Sequence, residues 1–369
     1  MATTSLLSGL DITRWREDFW VEHVRDSGFS PYMGESSEDV ITVINDLNGS
    51  GGYTVRVPLL GRLKGNGVTG NTPLGGSEEQ MDQYYQDITW ATYRNAVAVT
   101  RQDNKKGVEL VRAIRPMLKS WAAEHLKYKV IESFHKMSDG TAFSAANSTQ
   151  KNTFATNNVD RILFGSAISN YSATHATGLG NVDSTSDLLS PTMGSLAKFM
   201  AKTASPHIRP FKTGTQGREF FVMFCHPICF RDLKNNSTML AANRDARARD
   251  VESNPIFQDG DLIYDGVIYR EIPEFYMSRN GSGYNTDTHL SAVGNGSIDV
   301  GANFLCGAQA MGKVNKQAPR PVEKKEDDYD YVTGLGIELM YGFDKLRWNN
   351  GSQLAKDVGI VTVYASAAA

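Results

Sequence analysis

The sequence has few cysteines and no long apolar run. Its 369 residues include only three cysteines, an odd and sparse set that excludes a disulfide framework and is typical of a reducing compartment. No apolar run approaches the roughly 20 residues that a membrane-spanning helix needs. The first residues also lack the basic start and the apolar segment of a signal peptide, so we expect a chain made in a cytoplasm, with no membrane partner.

An excess of charge of one sign is missing as well. The chain carries 38 basic and 41 acidic side chains, a net charge of −3. This balance gives no electrostatic footprint of nucleic-acid binding, so any contact with a nucleic acid would be weak. The length allows a large core and more than one subdomain.

Motifs of catalysis and nucleotide binding are also absent. The sequence has neither Gly-x-Ser-x-Gly nor His-Glu-x-x-His, and its seven histidines are scattered. The segment KGNGVTG at 64–70 is similar to a phosphate-binding loop but lacks the terminal Gly-Lys-Ser/Thr before a helix. We therefore expect no enzymatic activity and no cofactor.

Two clusters contain residue types that bind metals. Cys225 and Cys229 flank His226, but structural zinc sites usually use two such pairs and only Cys306 remains, so we interpret these thiols as core. The acidic run at 326–330 lacks the glycine and the ligand spacing of a calcium loop. We interpret it as a solvated or intersubunit face and expect no metal site.

The most distinctive stretch that is present runs from 53 to 99. Apolar and polar residues alternate from 53 to 59, and Ile88, Trp90, Val97 and Val99 indicate a returning strand. The connection is too long for a hairpin turn, so we expect a β-arm that leaves the body and packs on another copy of the chain. It contains six glycines: Gly61, Gly65, Gly67, Gly70, Gly75 and Gly76.

The arm carries charges of both signs. One interpretation is that its basic residues meet the acidic residues of a neighbouring arm; the alternative is that both sets keep an extended arm soluble. The residues concerned are Arg56, Arg62, Lys64, Glu78, Glu79 and Asp82.

A long helix is predicted directly after the arm, from 108 to 137. Apolar residues recur along one side of this segment, and about 30 residues would span roughly 45 Å. Pro116 lies inside it, so we expect a kink or a break after the first turns. Asp139-Gly140 is expected to end the helix.

The first 52 residues look like a second arm. A helix is predicted from 12 to 24, with Trp15 and Phe19 at helical spacing. Large aromatic side chains on one short helix need an apolar surface. That surface belongs either to the same chain or to a neighbour.

The remaining chain predicts a mixed α+β body. Segment 141–158 is small and polar and is expected to be a loop or an inserted lobe. Ser190-Pro191 opens a helix, 220–225 is an apolar central strand, and Asp265-Gly266 joins two strands as a hairpin. The last strands, within 334–365, are expected to pair beside the long helix.

Several of these segments resemble the major capsid proteins of tailed bacteriophages, and more closely the coat-protein family of the N-four-like podoviruses. The resemblance begins with Gly67-Val68-Thr69-Gly70, Leu74-Gly75 and Glu78-Glu79, followed by a helix with Arg115 and Trp121. Later landmarks in the same order are the strand ending in His226-Pro227 and the segment GLGIELMYGFDKLRW at 334–348. Ser77 and the regions 141–158 and 279–297 depart from the family pattern.

The resemblance implies the Hong Kong 97-type capsid fold. In that fold class, α+β, the chain would divide into an N-terminal arm at 1–52, an extended loop at 53–99 and a peripheral domain at 100–158 with the spine helix at 108–137. An axial domain at 159–322 and C-terminal strands at 323–369 that return to the peripheral domain would follow.

The resemblance also implies the function of a virion structural protein. Such subunits assemble with themselves into pentamers and hexamers of an icosahedral capsid around double-stranded DNA, in the cytoplasm of a bacterial host. A portal, and scaffolding or decoration proteins, are the further partners that the resemblance implies. Neighbour contacts are expected from Trp15 and Phe19 of the N-terminal arm and from these residues of the extended loop: Arg62, Lys64, Gly67, Gly70, Leu74, Glu78 and Glu79. An encapsulin-like nanocompartment shell protein or another virion component is the alternative.

Overall fold

The computed structural model describes residues 28–45, 52–63, 65–71, 73–106, 110–213, 218–247, 262–278, 290, 292–324, 331–349 and 355–367. The predicted N-terminal helix with Trp15 and Phe19, Lys64 and the acidic run at 326–330 lie outside these residues.

Helices in the described part have the following bounds: α1 Arg101–Lys106, α2 Leu110–Phe134, α3 Ser148–Asn157, α4 His175–Gly180, α5 Pro191–Thr203, α6 Pro227–Asn235 and α7 Ser237–Arg247. The first strands are β1 Met33–Gly34, β2 Ile41–Ile44, β3 Thr54–Leu60, β4 Gln83–Thr89, β5 Ala91–Thr100, β6 Ile162–Phe164, β7 Phe211–Thr213 and β8 Arg218–Cys225. The others are β9 Leu262–Tyr264, β10 Val267–Glu271, β11 Met277–Ser278, β12 Val300–Cys306, β13 Met311–Lys324, β14 Val332–Lys345, β15 Arg347–Trp348, β16 Lys356–Asp357 and β17 Ile360–Ser366.

One sheet has five strands in the order β1-β2-β13-β14-β5. Its two long strands, β13 and β14, are antiparallel, and β5 runs antiparallel to β14 at one edge. The first half of α2 covers one face, where Ile114 and Leu118 pack against Val99 and Leu335. This is the buried side of the period-two alternation along β5 and β14.

The second sheet has eight strands around the path β6-β17-β12-β8-β10-β9. Helices α5 and α6 cover one face, with Met193 and Phe230 in its core. The last turns of α2 pack on the other face, where the Phe134 ring lies 5.3 Å from that of Phe304 and 5.7 Å from that of Phe224. Helix α2 therefore lies against both sheets.

Several local predictions are confirmed. The strand 218–225 is central, between β10 and β12, and Ser190 caps α5 by accepting a hydrogen bond from the Met193 N–H. Asp265 and Gly266 both have positive φ, 49° and 70°, as a two-residue type I′ hairpin turn requires.

The long helix differs from its prediction at its end. It continues without a break through Pro116, from 110 to 134, and that proline leaves one intrahelical hydrogen bond unmade because it has no N–H. It ends at Phe134, five residues before Asp139. The polar segment 141–158 is not a plain loop, since a capping box formed by Asn147 and Gln150 starts α3.

Two strand assignments are corrected. Val97 and Val99 do not belong to the arm ladder: they lie in β5, which pairs with β14 in the five-stranded sheet. Of the two predicted C-terminal strands, β14 pairs in the five-stranded sheet beside α2, as expected, but β17 lies between β6 and β12 in the other sheet. The placement of β17 follows from burial, because all seven of its residues are buried and an apolar strand of this kind needs cover on both faces.

Candidate functional site

The arm is a two-stranded ladder that stands outside both sheets. Seven residue pairs join β3 to β4, from Thr54 with Thr89 to Leu60 with Gln83. Arg56 on β3 donates two hydrogen bonds of 2.8 Å to the Asp87 carboxylate and lies 4.2 Å over the Tyr85 ring. The hydrogen bond from Arg56 lowers the pKa of Asp87, so this pair stays charged and holds the two strands in register.

The base of the arm is held on the body by a small apolar cluster. Leu59 and Ile88 are buried against Val314, Leu346 and Val358. Beyond that cluster, the Tyr84 ring makes an edge contact with Trp348 at 5.3 Å, and the Tyr85 N–H donates to the Asn349 carbonyl at 2.8 Å. These contacts fix the direction in which the arm leaves the subunit.

A buried amide joins the same strand to a charged network. Gln86 on β4 is 6% exposed, and its Nε2 donates to Asp344 Oδ2 at 3.2 Å. Asp344 also receives Arg347 at 2.8 Å, and Lys136 lies 3.5 Å from its other oxygen. The sequence does not predict that Gln86 is buried, because a glutamine in a polar segment is ordinarily expected to be exposed to solvent.

The tip of the arm, which we define as residues 61–82, is held together by hydrogen bonds that its backbone N–H groups donate. The Gly61 N–H donates to the Asp82 carbonyl at 2.8 Å, which extends the ladder by one step. Glu79 accepts the Gly65 N–H and Glu78 accepts the Gly76 N–H, both at 2.7 Å. The two glutamates thus shape their own loop.

Glycine is required at particular points of the tip. Gly67, Gly70 and Gly76 have φ of +68°, +69° and +88°, in the left-handed region that other residues avoid. A Cβ at these positions would meet no atom of the described structure within 4 Å. Backbone conformation rather than crowding therefore accounts for the glycines.

The arm exposes an unusual amount of apolar surface. Five of its large apolar side chains are 49–64% exposed. Scattered exposed apolar residues are common, but a group of them on one projecting element marks an interaction surface. The five are Tyr53, Leu60, Leu63, Leu74 and Met81.

The structure places the charged and apolar residues that were predicted to contact a neighbour in different environments. Arg62 and Leu74 are exposed at the tip, as a contact with a neighbour requires. Glu78 and Glu79 are exposed too, but both accept hydrogen bonds within their own chain. The pairing of Arg56 with a neighbour's acid is corrected, because its carboxylate partner is Asp87 of the same chain.

The thiols have the environment of core residues. Cys225, Cys229 and Cys306 are free and buried, and burial raises the pKa of Cys229 to about 12. Within the described residues no group of three or more histidine, cysteine, aspartate or glutamate side chains has the geometry of a metal site. No helix among them is long and apolar enough to cross a membrane.

Comparison with known proteins decides what kind of molecule this is. A family model described as "Phage capsid protein" matches residues 3–369. The chain belongs to this family. It is 26% identical over 373 residues to the major capsid protein of Pseudomonas phage KPP25, with 96% of this chain and 95% of that protein covered.

Solved capsid structures agree with this family. The subunit in the Cyanophage Pam1 capsid asymmetric unit is 33% identical, covers 100% of both chains and superposes with a TM-score of 0.84. The capsid of Ralstonia phage GP4 is 18% identical over 99% of this chain and 98% of that one, with a TM-score of 0.73, and supports the fold alone. The fold is the α+β Hong Kong 97-type capsid fold that the sequence predicted.

The function follows from the family. The chain is a structural subunit, a major capsid protein, and copies of it form the icosahedral shell of a phage, so it is a component of the virion. The predicted resemblance to tailed-phage major capsid proteins is confirmed. That the chain has no enzymatic activity stays a prediction.

Proposed function

We propose that the arm is the element by which one capsid subunit holds the next. The observation that carries this is the group of exposed apolar side chains between Tyr53 and Met81, which the subunit's own core leaves in water. Burying one such side chain contributes about 2 kcal/mol. A closed symmetric shell repeats each contact many times, so modest contacts suffice.

The domain division follows the two sheets. We take the five-stranded sheet with α2 as the peripheral domain and the eight-stranded sheet with α5, α6 and α7 as the axial domain. The extended loop is then the β3–β4 ladder with its tip, β5 belongs to the peripheral domain and β17 belongs to the axial domain. Residues 33–44 of the predicted arm at 1–52, and 311–324 of the predicted axial domain at 159–322, belong to the peripheral sheet as β1, β2 and β13. The N-terminal arm is then the part of the chain before β1, with Trp15 and Phe19 as its contacts to a neighbour.

The assembly we infer consists of pentamers and hexamers around double-stranded DNA. The net charge of −3 supports only weak, non-specific contact between this shell and its DNA. A portal, and scaffolding or decoration proteins, are further partners of such a shell, and assembly takes place in the cytoplasm of the bacterial host.

Removing the tip tests this proposal. Deletion of residues 62–77 should leave a soluble, folded subunit, judged by circular dichroism and a cooperative thermal transition, that forms no closed particles in negative-stain micrographs. The milder variant Leu63→Ser with Leu74→Ser should lower particle yield, whereas Ile168→Ser, at a similarly exposed position outside the arm, should not. Normal particles from the deletion would overturn the proposal.

A further inference from the structure

We propose that Asn66, in the tip of the arm, is a site of spontaneous modification. Its side-chain amide reacts with the backbone nitrogen of Gly67, and residue 66 becomes isoaspartate and aspartate in subunits that have not assembled. In the shell a neighbour covers the tip and slows the reaction; this second part of the inference rests on the proposed function.

The reaction needs an asparagine followed by a residue that does not obstruct it. Glycine has no side chain to block the approach of its nitrogen to the asparagine amide, and its backbone turns freely. The sequence contains five Asn-Gly dipeptides, of which 66–67 and 295–296 lie among the described residues. Because ring closure must bring the nitrogen and the side-chain carbon within bonding distance, a dipeptide that can move reacts faster than one that is held.

The dipeptide in the tip is exposed and little constrained. Asn66 and Gly67 are both exposed. Gly67 has a φ of +68°, and a Cβ there would meet no atom of the described structure within 4 Å. In the part of the chain that the structure describes, neither the Asn66 side chain nor the Gly67 N–H forms a hydrogen bond. The Asn66 amide is therefore free to turn toward the Gly67 nitrogen.

The second described dipeptide is a matched internal control. Asn295 and Gly296 are also exposed, and Gly296 has the same φ of +68°. Here, however, the Asn295 N–H donates to the Val182 carbonyl at 2.8 Å, and the Gly294 N–H donates to the Ile298 carbonyl at 2.9 Å. The two dipeptides thus differ in the hydrogen bonds that hold the backbone and not in exposure or in the conformation of glycine.

The chemistry needs only water. The Gly67 nitrogen attacks Cγ of Asn66 and loses its proton, a C–N bond forms, and the bond from Cγ to the side-chain nitrogen breaks, so that ammonia leaves and a five-membered succinimide remains. Water then opens the ring. Opening at the side-chain carbonyl gives aspartate, and opening at the main-chain carbonyl gives isoaspartate, in which the backbone runs through the side chain.

The product changes a tip that is already acidic. Residues 61–82 carry three acidic and two basic side chains, and the reaction adds one further carboxylate. The new charge adjoins Gly65, whose N–H donates to the Glu79 carboxylate at 2.7 Å. Like charges this close repel each other, and isoaspartate also lengthens the backbone by one atom. A subunit that ages before assembly therefore carries an altered contact element.

Peptide mapping of aged protein tests the reaction. The purified unassembled subunit is kept in mildly alkaline buffer, and the peptides that contain residues 66 and 295 are followed by mass spectrometry. We expect deamidation several times faster at Asn66 than at Asn295, with more isoaspartate than aspartate, as a succinimide requires. An equal or slower rate at Asn66, or a product that is aspartate alone, would overturn the inference and leave the proposed function untouched.

Assembled shells and a substitution complete the test. Shells aged in the same buffer should deamidate at Asn66 several times more slowly than unassembled subunits, while the rate at Asn295 serves as the reference for the buffer. Equal rates at Asn66 in both forms would contradict the covering of the tip, and with it the proposed contact, but not the chemistry. Asn66→Gln, which would have to close a larger and slower ring, should remove most of the acidic species that anion exchange detects in aged subunits from the peptide at residue 66; its persistence there would overturn the assignment.

Discussion

Lys345 Nζ lies 2.8 Å from Asp357 Oδ2, and the two side chains are 0% and 2% exposed. Arg161, also buried, donates to the main-chain carbonyls of Asp357 and Val358. Burial lowers the pKa of Lys345. Lys345 is the last residue of β14, in the five-stranded sheet, and Asp357 is the last residue of β16, which precedes β17 of the eight-stranded sheet. The ion pair therefore connects the two sheets and fixes how they meet.

We expect removal of one partner of this pair to be costly. Lys345→Met leaves the Asp357 carboxylate buried without its cation, and such a change lowers the free energy of unfolding by about 3–5 kcal/mol. The measurement is chemical denaturation of the unassembled subunit. The double variant Lys345→Met with Asp357→Leu should lose much less than the sum of the two single variants, because no unpaired charge remains; additive losses would show that the two charges act independently.

Acid should destabilise the subunit through a buried histidine. His175 Nε2 lies 2.9 Å from the Tyr364 hydroxyl, and burial, with a smaller contribution from Lys151, lowers the pKa of His175 from 6.5 to about 4. Above pH 6.5 the imidazole is neutral in both states. As the pH falls from 6.5 to 4 the unfolded chain binds a proton that the folded chain refuses, so about 3 kcal/mol of stability is lost.

The measurement is the free energy of unfolding as a function of pH. His175→Gln should make the curve shallower between pH 6.5 and 4, whatever its effect at neutral pH. Part of the slope should persist, because burial also lowers the pKa of His135. An unchanged slope in His175→Gln would rule out this origin.

The base of the arm should not tolerate a side chain at Gly342. A Cβ there would fall on the Thr89 carbonyl oxygen and lie 3.0 Å from the Trp90 Cα, at the point where the arm passes into β5. Gly342→Ala should therefore shift the base of the arm, lower the free energy of unfolding by about 1–3 kcal/mol and reduce particle yield.

Gly75→Ala is the matched control for that substitution. A Cβ on Gly75 meets nothing within 4 Å of the described structure, and its φ is outside the left-handed region. We expect Gly342→Ala to lower the melting temperature and the particle count, and Gly75→Ala to change neither. An equal loss in both variants would mean that the flexibility of glycine matters, and not the close approach of Gly342 to Thr89.

The hydroxyl of Tyr269 should exclude any side chain at Gly194 of α5. A Cβ on Gly194 would overlap the Tyr269 hydroxyl and lie 2.9 Å from its Cζ. That buried hydroxyl has no hydrogen-bond partner in the described structure. Tyr269→Phe should thus be neutral or stabilising by about 1 kcal/mol, and it should partly rescue the loss caused by Gly194→Ala. Denaturation of the two single variants and the double variant measures the rescue, and its absence would contradict the contact.

Local patterns in the sequence predicted those parts of the fold that neighbouring residues determine. Asp265-Gly266 specifies a turn through its own backbone preferences, Ser190-Pro191 specifies a helix start, and 53–59 alternates because one face of β3 is buried. The resemblance to capsid proteins, carried by the glycine-punctuated segment at 67–79, supplied the fold class and the function.

Long-range pairing was beyond the same patterns. No residue of the apolar strand β17, 360–366, indicates in the sequence which sheet the strand will join. In the structure β17 lies between β6 and β12, where both of its faces are covered. The buried pair Lys345 and Asp357 looks like two ordinary surface charges in the sequence.

The most direct test of the central claim is a cryo-electron microscopy reconstruction of shells formed by the expressed chain. We predict that density for 61–79 extends from its own subunit and contacts a neighbouring subunit. A reconstruction in which 61–79 lies against its own subunit, or an expressed chain that forms no shell, would contradict the account.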